Sequence, residues 1–169
     1  MTTTDEIRPA AGDVDATPHK IISGGQTGAD LGGLVGARRL AIPTGGVAPR
    51  GYKTEKGEQA EALKSYGLIP HPSPNYNART LTNVQDSDAT LIFSKIVASK
   101  GTELTINYCE REQKPYCVLS VLDSSDLSKA KEFIHTHKPK ILNIAGNRES
   151  VSPGIASLVA AFIVSLFGT

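Results

Sequence analysis

The sequence predicts an α/β protein of the Rossmann-like, three-layer kind, with a central, mostly parallel sheet flanked by helices. Three observations carry this. From residue 20 onward, short apolar runs alternate with longer amphipathic ones, the mark of parallel strands joined by helical crossovers. Glycine-containing segments, SGGQTG at 23–28 and AGNRES at 145–150, fall where a strand hands over to a helix. The length of 169 residues is that of one ordinary domain, and a hydrophobic content of 39% is enough to build its core. Only 5% of residues are aromatic and tryptophan is absent, so that core is aliphatic.

The elements follow in order. Lys20–Ser23 is the first strand, and a helix runs from about Ala29 to Leu40. Gly32 and Gly33 within it mark close helix–sheet contact, because glycine inside a helix costs about 1 kcal/mol against alanine. Ile42–Val47 is a short apolar segment that ends in a glycine- and proline-rich loop, GGVAPRGYKTEKG. Residues 58–66 are helical. A weak strand over Gly67–His71 is limited by Pro70, Pro72 and Pro74. Residues 76–86 form a helix or turn, and Ala89–Ser94 (ATLIFS) a buried strand. Thr102–Gln113 is an amphipathic helix with Thr102 as its N-cap. Tyr116–Val121 is a buried strand, Leu127–His137 a helix, and Lys140–Ala145 the last strand. The final helix begins near Pro153, with Ser152 as N-cap and proline at the first helical position. Between Ile155 and Phe167 only Ser157 and Ser165 are polar. A helix apolar all round needs cover on all sides, which predicts either a homo-oligomer contact (dimer or tetramer) or a neighbouring helix of the same chain. Residues 1–18 lack periodicity and read as a disordered tail, with 19–169 as a single domain.

Composition narrows the function classes. A net charge of +1 argues against a broad nucleic-acid-binding face. Cys109 and Cys117 form no CxxC pair, so a reducing compartment is the default. The N-terminus has no apolar signal region, and the longest apolar run, Gly154–Gly168, is shorter than the ~20 residues of a membrane span. The expectation is a cytoplasmic protein with no membrane partner.

The chemistry is expected in the loops. Ser23, Gly24, Gly25, Gln26, Thr27 and Gly28 lie between the first strand and its helix. Glycines let backbone amides approach a ligand, and a helix start adds unpaired N–H donors and partial positive charge, a combination that favours a phosphate. The segment is neither a P-loop nor G-x-G-x-x-G. On this reading valine at Gly25 or Gly28 abolishes binding and leaves the fold intact. Asp30 is read as a counter-charge to the helix dipole, because a carboxylate facing the pocket would repel an anion. Asn147, Arg148, Glu149 and Ser150 follow the last strand and offer amides, a hydroxyl and a guanidinium; the alternative is a surface loop in which Arg148 and Glu149 pair. Gly101 and Thr102 form a third junction, with capping as the alternative role of Thr102. Arg50, Lys53 and Arg79 sit in further loops and can supply charge. In an open parallel sheet all such loops emerge at the carboxyl edge, where ligands bind. The catalytic inventory is thin: His19, His71, His135 and His137 lie outside the glycine loops, Cys109 falls on a helix and Cys117 in a strand. No nucleophile–base pair or metal-ligand cluster is evident, so binding without turnover is expected.

Several motifs together resemble one family: ISGGQTGADLGGL (Ile22–Leu34), Pro49-Arg50-Gly51, Tyr76-Asn77-Ala78-Arg79-Thr80, SDATLI (Ser87–Ile92), Gly101-Thr102, LNIAGNRES (Leu142–Ser150) and Pro153-Gly154. From about residue 20 to the C-terminus the chain resembles the molybdenum carrier family, the molybdenum cofactor carrier proteins, within the lysine-decarboxylase-like Rossmann superfamily. The resemblance implies a Rossmann-like fold, homo-oligomers, and molybdenum cofactor as bound cargo, exchanged with donor or acceptor proteins. That cofactor is a phosphate-bearing pterin whose dithiolene already holds the metal, so no protein metal ligand is required. Phosphoribohydrolases of the same superfamily resemble one another in a PGGxGTxxE segment. Here the aligned stretch is Ser99–Thr105, without the Pro-Gly-Gly, with Thr105 at the glutamate position and Glu103 two residues earlier on the helix. Hydrolysis of a nucleoside monophosphate and sensing of a nucleotide or an ADP-ribose-like signal stay as the alternative functions.

Overall fold

The computed structural model describes residues 16–168. The strands of its central sheet are β1 (Lys20–Ser23), β2 (Thr44–Ala48), β5 (Leu68–Pro70), β6 (Ala89–Phe93), β7 (Tyr116–Leu119) and β8 (Ile141–Gly146). They lie in the order β5-β2-β1-β8-β6-β7, and every neighbouring pair is parallel. The helices are α1 (Ala29–Arg39), α2 (Ala60–Ser65), α3 (Ala78–Asp86), α4 (Lys100–Arg111), α5 (Ser124–His137) and α6 (Ile155–Phe167). The segment after β2 was expected as a glycine- and proline-rich loop. It contains a two-stranded antiparallel hairpin, β3 (Lys53–Thr54) with β4 (Gly57–Glu58).

The order of the strands decides which layer each helix joins. Right-handed crossovers from β1 to β2 and from β2 to β5 run one way, and those from β5 to β6 and from β6 to β7 run the other. Helices α1, α5 and α6 accordingly pack together on one face, with α2 near α1. Only α3 and α4 cover the opposite face.

The two faces differ in chemistry. The face under α1, α5 and α6 is closed by Ile21, Leu91, Phe93, Leu119, Leu142 and Ile144, packed against Ile155, Val159 and Ile163. Phe93 meets Phe162 edge-on, centroids 5.2 Å apart at 77°, worth about 0.5–1.5 kcal/mol beyond burial. Gly33 makes the expected close helix–sheet contact, its Cβ position 2.8 Å from Ile144, whereas Gly32 admits helix α6, its Cβ position 2.5 Å from the Ala156 carbonyl oxygen. The α3–α4 face carries Thr90 and Asn143 at its centre instead.

Two expected helix caps are corrected. Ser99, not Thr102, caps α4; its hydroxyl accepts the Thr102 amide at 3.3 Å, because the helix begins two residues earlier than the apolar periodicity suggested. Helix α6 starts at Ile155, after Gly154 with φ +88°, a conformation that cannot continue a right-handed helix back to Pro153. Ser152 turns its hydroxyl to Asn147 Oδ1 at 3.0 Å. The capping acceptor is the Glu149 carboxylate, which takes the amides of Gly154 at 2.8 Å and Ala156 at 3.1 Å. Helix α6 is not enclosed within the chain, for Ser157, Leu158, Ala161 and Ser165 are exposed. Residues 1–15 of the expected tail lie outside the described residues; Ala16 packs against the core and Pro18 is buried. No helix among the described residues is long and apolar enough to cross a membrane.

Asn83 on α3 ties the second layer to the sheet. Beyond the end of β1, the Val47 backbone has no strand neighbour on that side, and the Asn83 amide completes both of its bonds at 2.9 Å. Asn83→Ala is expected to cost about 1–3 kcal/mol by leaving these buried groups unpaired, read as a lower urea midpoint at unchanged m-value.

Candidate functional site

A cavity of about 450 Å³ opens at the carboxyl edge, on the α3–α4 face, within the size range of small-molecule sites. It sits beyond β1, β8 and β6, where the connections turn from one direction to the other, the position at which open α/β sheets take ligands. Gly24 and Gln26 come from the first loop, Ser99, Lys100 and Gly101 from the start of α4, and Ala145–Arg148 from the end of β8 and the last loop. Three junctions remote in sequence thus meet at one cavity. Tyr76, Arg79 and Asn83 close it from α3 and the preceding turn, Leu104 and Thr105 from α4, and Asn143 and Ile144 from β8.

The residues expected to bind divide into two groups. Gly24, Gln26, Arg79, Gly101, Asn147 and Arg148 line the cavity. Ser23, Gly25, Thr27, Gly28, Arg50, Thr102, Glu149 and Ser150 do not. Arg50 is exposed in the short turn before β3. Gly25 is a packing position, since its Cβ would meet Leu68 and Leu63 at 2.8–2.9 Å. Ser23 donates its hydroxyl to the Asp30 carbonyl at 3.0 Å and accepts the Gly25 amide at 3.3 Å, which holds the loop in shape.

Asparagine 147 lines the cavity but has its amide in use. Its Oδ1 accepts the Ile96 amide at 3.0 Å, and its Nδ2 donates to the Ile96 carbonyl and to Ser99 Oγ. It therefore locks the loop after β6 to the loop after β8. Thr102 is buried in a hydroxyl chain with Ser99 and Ser94 at 2.9 and 2.7 Å. The amides of Lys100 and Gly101 have no acceptor within α4 and stand where the helix dipole is positive.

Glu55, at the tip of the β3–β4 hairpin, carries no expectation from sequence and joins two loops. Its carboxylate accepts the Thr27 hydroxyl, the Ser150 hydroxyl, and the Ser150 amide at 3.0 Å, with Arg148 Nε 3.8 Å away. Partial desolvation pushes its proton affinity up, yet the bonds from Ser150 and Thr27 and the Arg148 charge outweigh it and hold the carboxyl below its usual value. A depressed carboxylate adds stability above its unfolded value and loses it as pH falls through the folded value. Glu55→Gln is expected to flatten that acid limb, measured as the unfolding midpoint against pH. The pairing of Arg148 with Glu149 is not made, because Glu149 is committed to α6.

Asp30 is not merely a dipole counter-charge. It lines the cavity, buried, with Oδ2 3.3 Å from Arg79 Nη1 and 3.2 Å from the Gln26 amide. Burial raises its proton affinity, and Arg79 opposes that rise. The expected repulsion of an anion is answered by this pairing, since Asp30 faces the cavity together with its own cation. Gly24 makes room for the pair, for a Cβ there would lie 1.8 Å from Arg79 Nη1. The Arg79 guanidinium also stands 4.9 Å from the centre of the Tyr76 ring, and Tyr76 accepts a hydrogen bond from Gln26 Nε2.

Comparison with known proteins agrees with this architecture. The sequence profile of the circularly permutated YpsA SLOG family matches residues 21–167. A crystal structure of a protein named "Putative molybdenum carrier protein", from Syntrophus aciditrophicus SB, superposes with a TM-score of 0.79 at 35% identity, covering 90% of this chain and 96% of that one. No curated protein matches the chain.

Proposed function

The chain belongs to the circularly permutated YpsA SLOG family, and from that premise we propose that it binds molybdenum cofactor as cargo and hands it on unchanged. The observation that carries this reading is the composition of the cavity rim. Lys100, Arg148 and the open amides of the α4 start meet at one mouth, at a cavity large enough for a small molecule. A terminal phosphate calls for such donors, and the dithiolene supplies the metal's ligands. The name of the structural neighbour points to the same cargo class. Among the described residues no group of three His, Cys, Asp or Glu side chains is placed to hold a metal ion, which is compatible with cargo that brings its own ligands.

A second reading, hydrolysis of a nucleoside monophosphate, draws on Asp30, a buried carboxyl in the cavity whose raised proton affinity suits acid–base work. Glu103 does not serve it, being exposed and outside the cavity. One experiment separates the two: anaerobic binding of purified molybdenum cofactor, competed with AMP and ADP-ribose, with product analysis of the AMP sample. Cofactor binding with AMP intact is expected, and Arg148→Ala is expected to weaken it by about 1.5–3 kcal/mol. Release of adenine, or tighter binding of the nucleotides, overturns the carrier reading.

A further inference from the structure

Among the described residues, two buried side-chain polar atoms lack a hydrogen-bond partner, Oδ1 of Asn143 and Nε of Arg79. Both residues line the same cavity. Buried polar atoms are nearly always paired, so two unpaired ones on residues lining one cavity mark groups that await a ligand.

Each is held in place by its other bonds. Asn143 sits mid-strand on β8, between Ile22 of β1 and Thr90 of β6, and is only 3% exposed. Its Nδ2 donates to Thr90 Oγ1 at 3.3 Å. That bond leaves the amide oxygen as the free atom. Arg79 is fixed by Asp30 through Nη1 and by the Tyr76 ring.

The two atoms are of opposite kinds, and the pairing discriminates between ligands. Nε is a donor and Oδ1 is an acceptor. A phosphate satisfies the donor but has no hydrogen to give the acceptor, and its charge opposes the amide dipole. A flat heterocycle with an N–H beside a carbonyl satisfies both. Leu104 and Ala145 supply apolar surface in the same cavity for the faces of such a ring.

We propose that the inner part of the cavity reads the edge of a planar nitrogen heterocycle, with Asn143 Oδ1 accepting a ring or exocyclic N–H and Arg79 Nε donating to the adjacent carbonyl or ring nitrogen. The chemistry is a 2-amino-4-oxo pyrimidine edge, which pterins and guanine share. The choice of the pterin as its source rests on the carrier reading above. The phosphate then stays at the rim with Lys100 and Arg148, so the two ends of the ligand are held by different residues.

The test is titration calorimetry of the full chain with 6-hydroxymethylpterin, which carries no phosphate, with guanosine, and with pyrophosphate. The wild type is expected to bind the pterin in preference to guanosine. Asn143→Leu, close in volume, is expected to lose at least about tenfold in pterin affinity and to hold pyrophosphate within about twofold of wild type. Should Asn143→Leu fail to fold, Arg79→Lys, which keeps a cation beside Asp30 but has no Nε donor, is expected to show the same pterin-selective loss. Equal pterin affinity in wild type and the folded variants, or no pterin binding by the wild type, overturns the inference. Tighter binding of guanosine, lost in the same variants, supports the edge-reading pair and overturns the pterin as its source. Failure of the carrier reading is distinguishable: pterin bound through Asn143, with intact molybdenum cofactor not bound, overturns that reading alone.

Discussion

Gly28→Ala is expected to lower the unfolding free energy by about 2–6 kcal/mol, measured by urea denaturation. Two costs add. Gly28 has φ +83° and ψ −130°, a conformation open to glycine and strained by about 1–3 kcal/mol for other residues. Its Cβ would also lie 2.3 Å from the Asn147 carbonyl oxygen and 2.6 Å from the Glu149 amide nitrogen, overlap with backbone that costs about a further 1–3 kcal/mol. Gly57→Ala is the control: φ is +92° there, but nothing lies within 4 Å of the added carbon, so only the conformational cost applies. The expectation from sequence was the reverse, a binding defect in an intact fold. The close approach that glycine permits at this position is to the last loop of the same chain.

Arg79→Met is expected to cost about 3–5 kcal/mol at neutral pH, because it strips the buried Asp30 carboxylate of its cation. The two side chains are 11% and 8% exposed, so solvent does little to screen the loss. The pH dependence fixes the cause. Burial raises the Asp30 proton affinity and Arg79 lowers it, so removing Arg79 leaves the raising cause unopposed. Where the native state holds more protons than the unfolded chain, stability falls as pH rises. The penalty therefore grows as pH rises through the raised value and shrinks as the solution is acidified through it. Unfolding curves of the variant at neutral and mildly acidic pH check this, and Asp30→Asn in the same chain is expected to recover much of the loss. A penalty independent of pH would assign the cost to lost packing around Tyr76.

Much of the architecture is legible in local pattern. Lys20–Ser23 was read with its observed bounds, and ATLIFS reads as a buried strand because all of Ala89–Phe93 is enclosed by neighbours on both sides. The glycines of the first loop were also visible, but their purposes were not. Gly24 clears space for Arg79, whereas Gly25 and Gly28 clear space for the protein's own leucines and backbone. A glycine in sequence says that something comes close and leaves open whether it is a ligand or another part of the chain. Helix starts failed for a related reason. Thr102 and Ser152 are good caps by residue type, but Ser99 and Glu149 reach the free amides.

What the sequence by itself determined is the alternation of strand and helix, the parallel sheet, and the three loops that end at one edge, because hydrophobic periodicity and turn chemistry act over a few residues. What only the tertiary structure decided is the chemistry of the cavity. Glu55 reaches Ser150 across 95 residues, Asn143 is oriented by Thr90 across 53, and Arg79 meets Asp30 across 49. Whether a carboxylate caps a helix, clamps two loops or faces a ligand depends on partners that only folding brings within hydrogen-bond reach, and no local pattern encodes those distances.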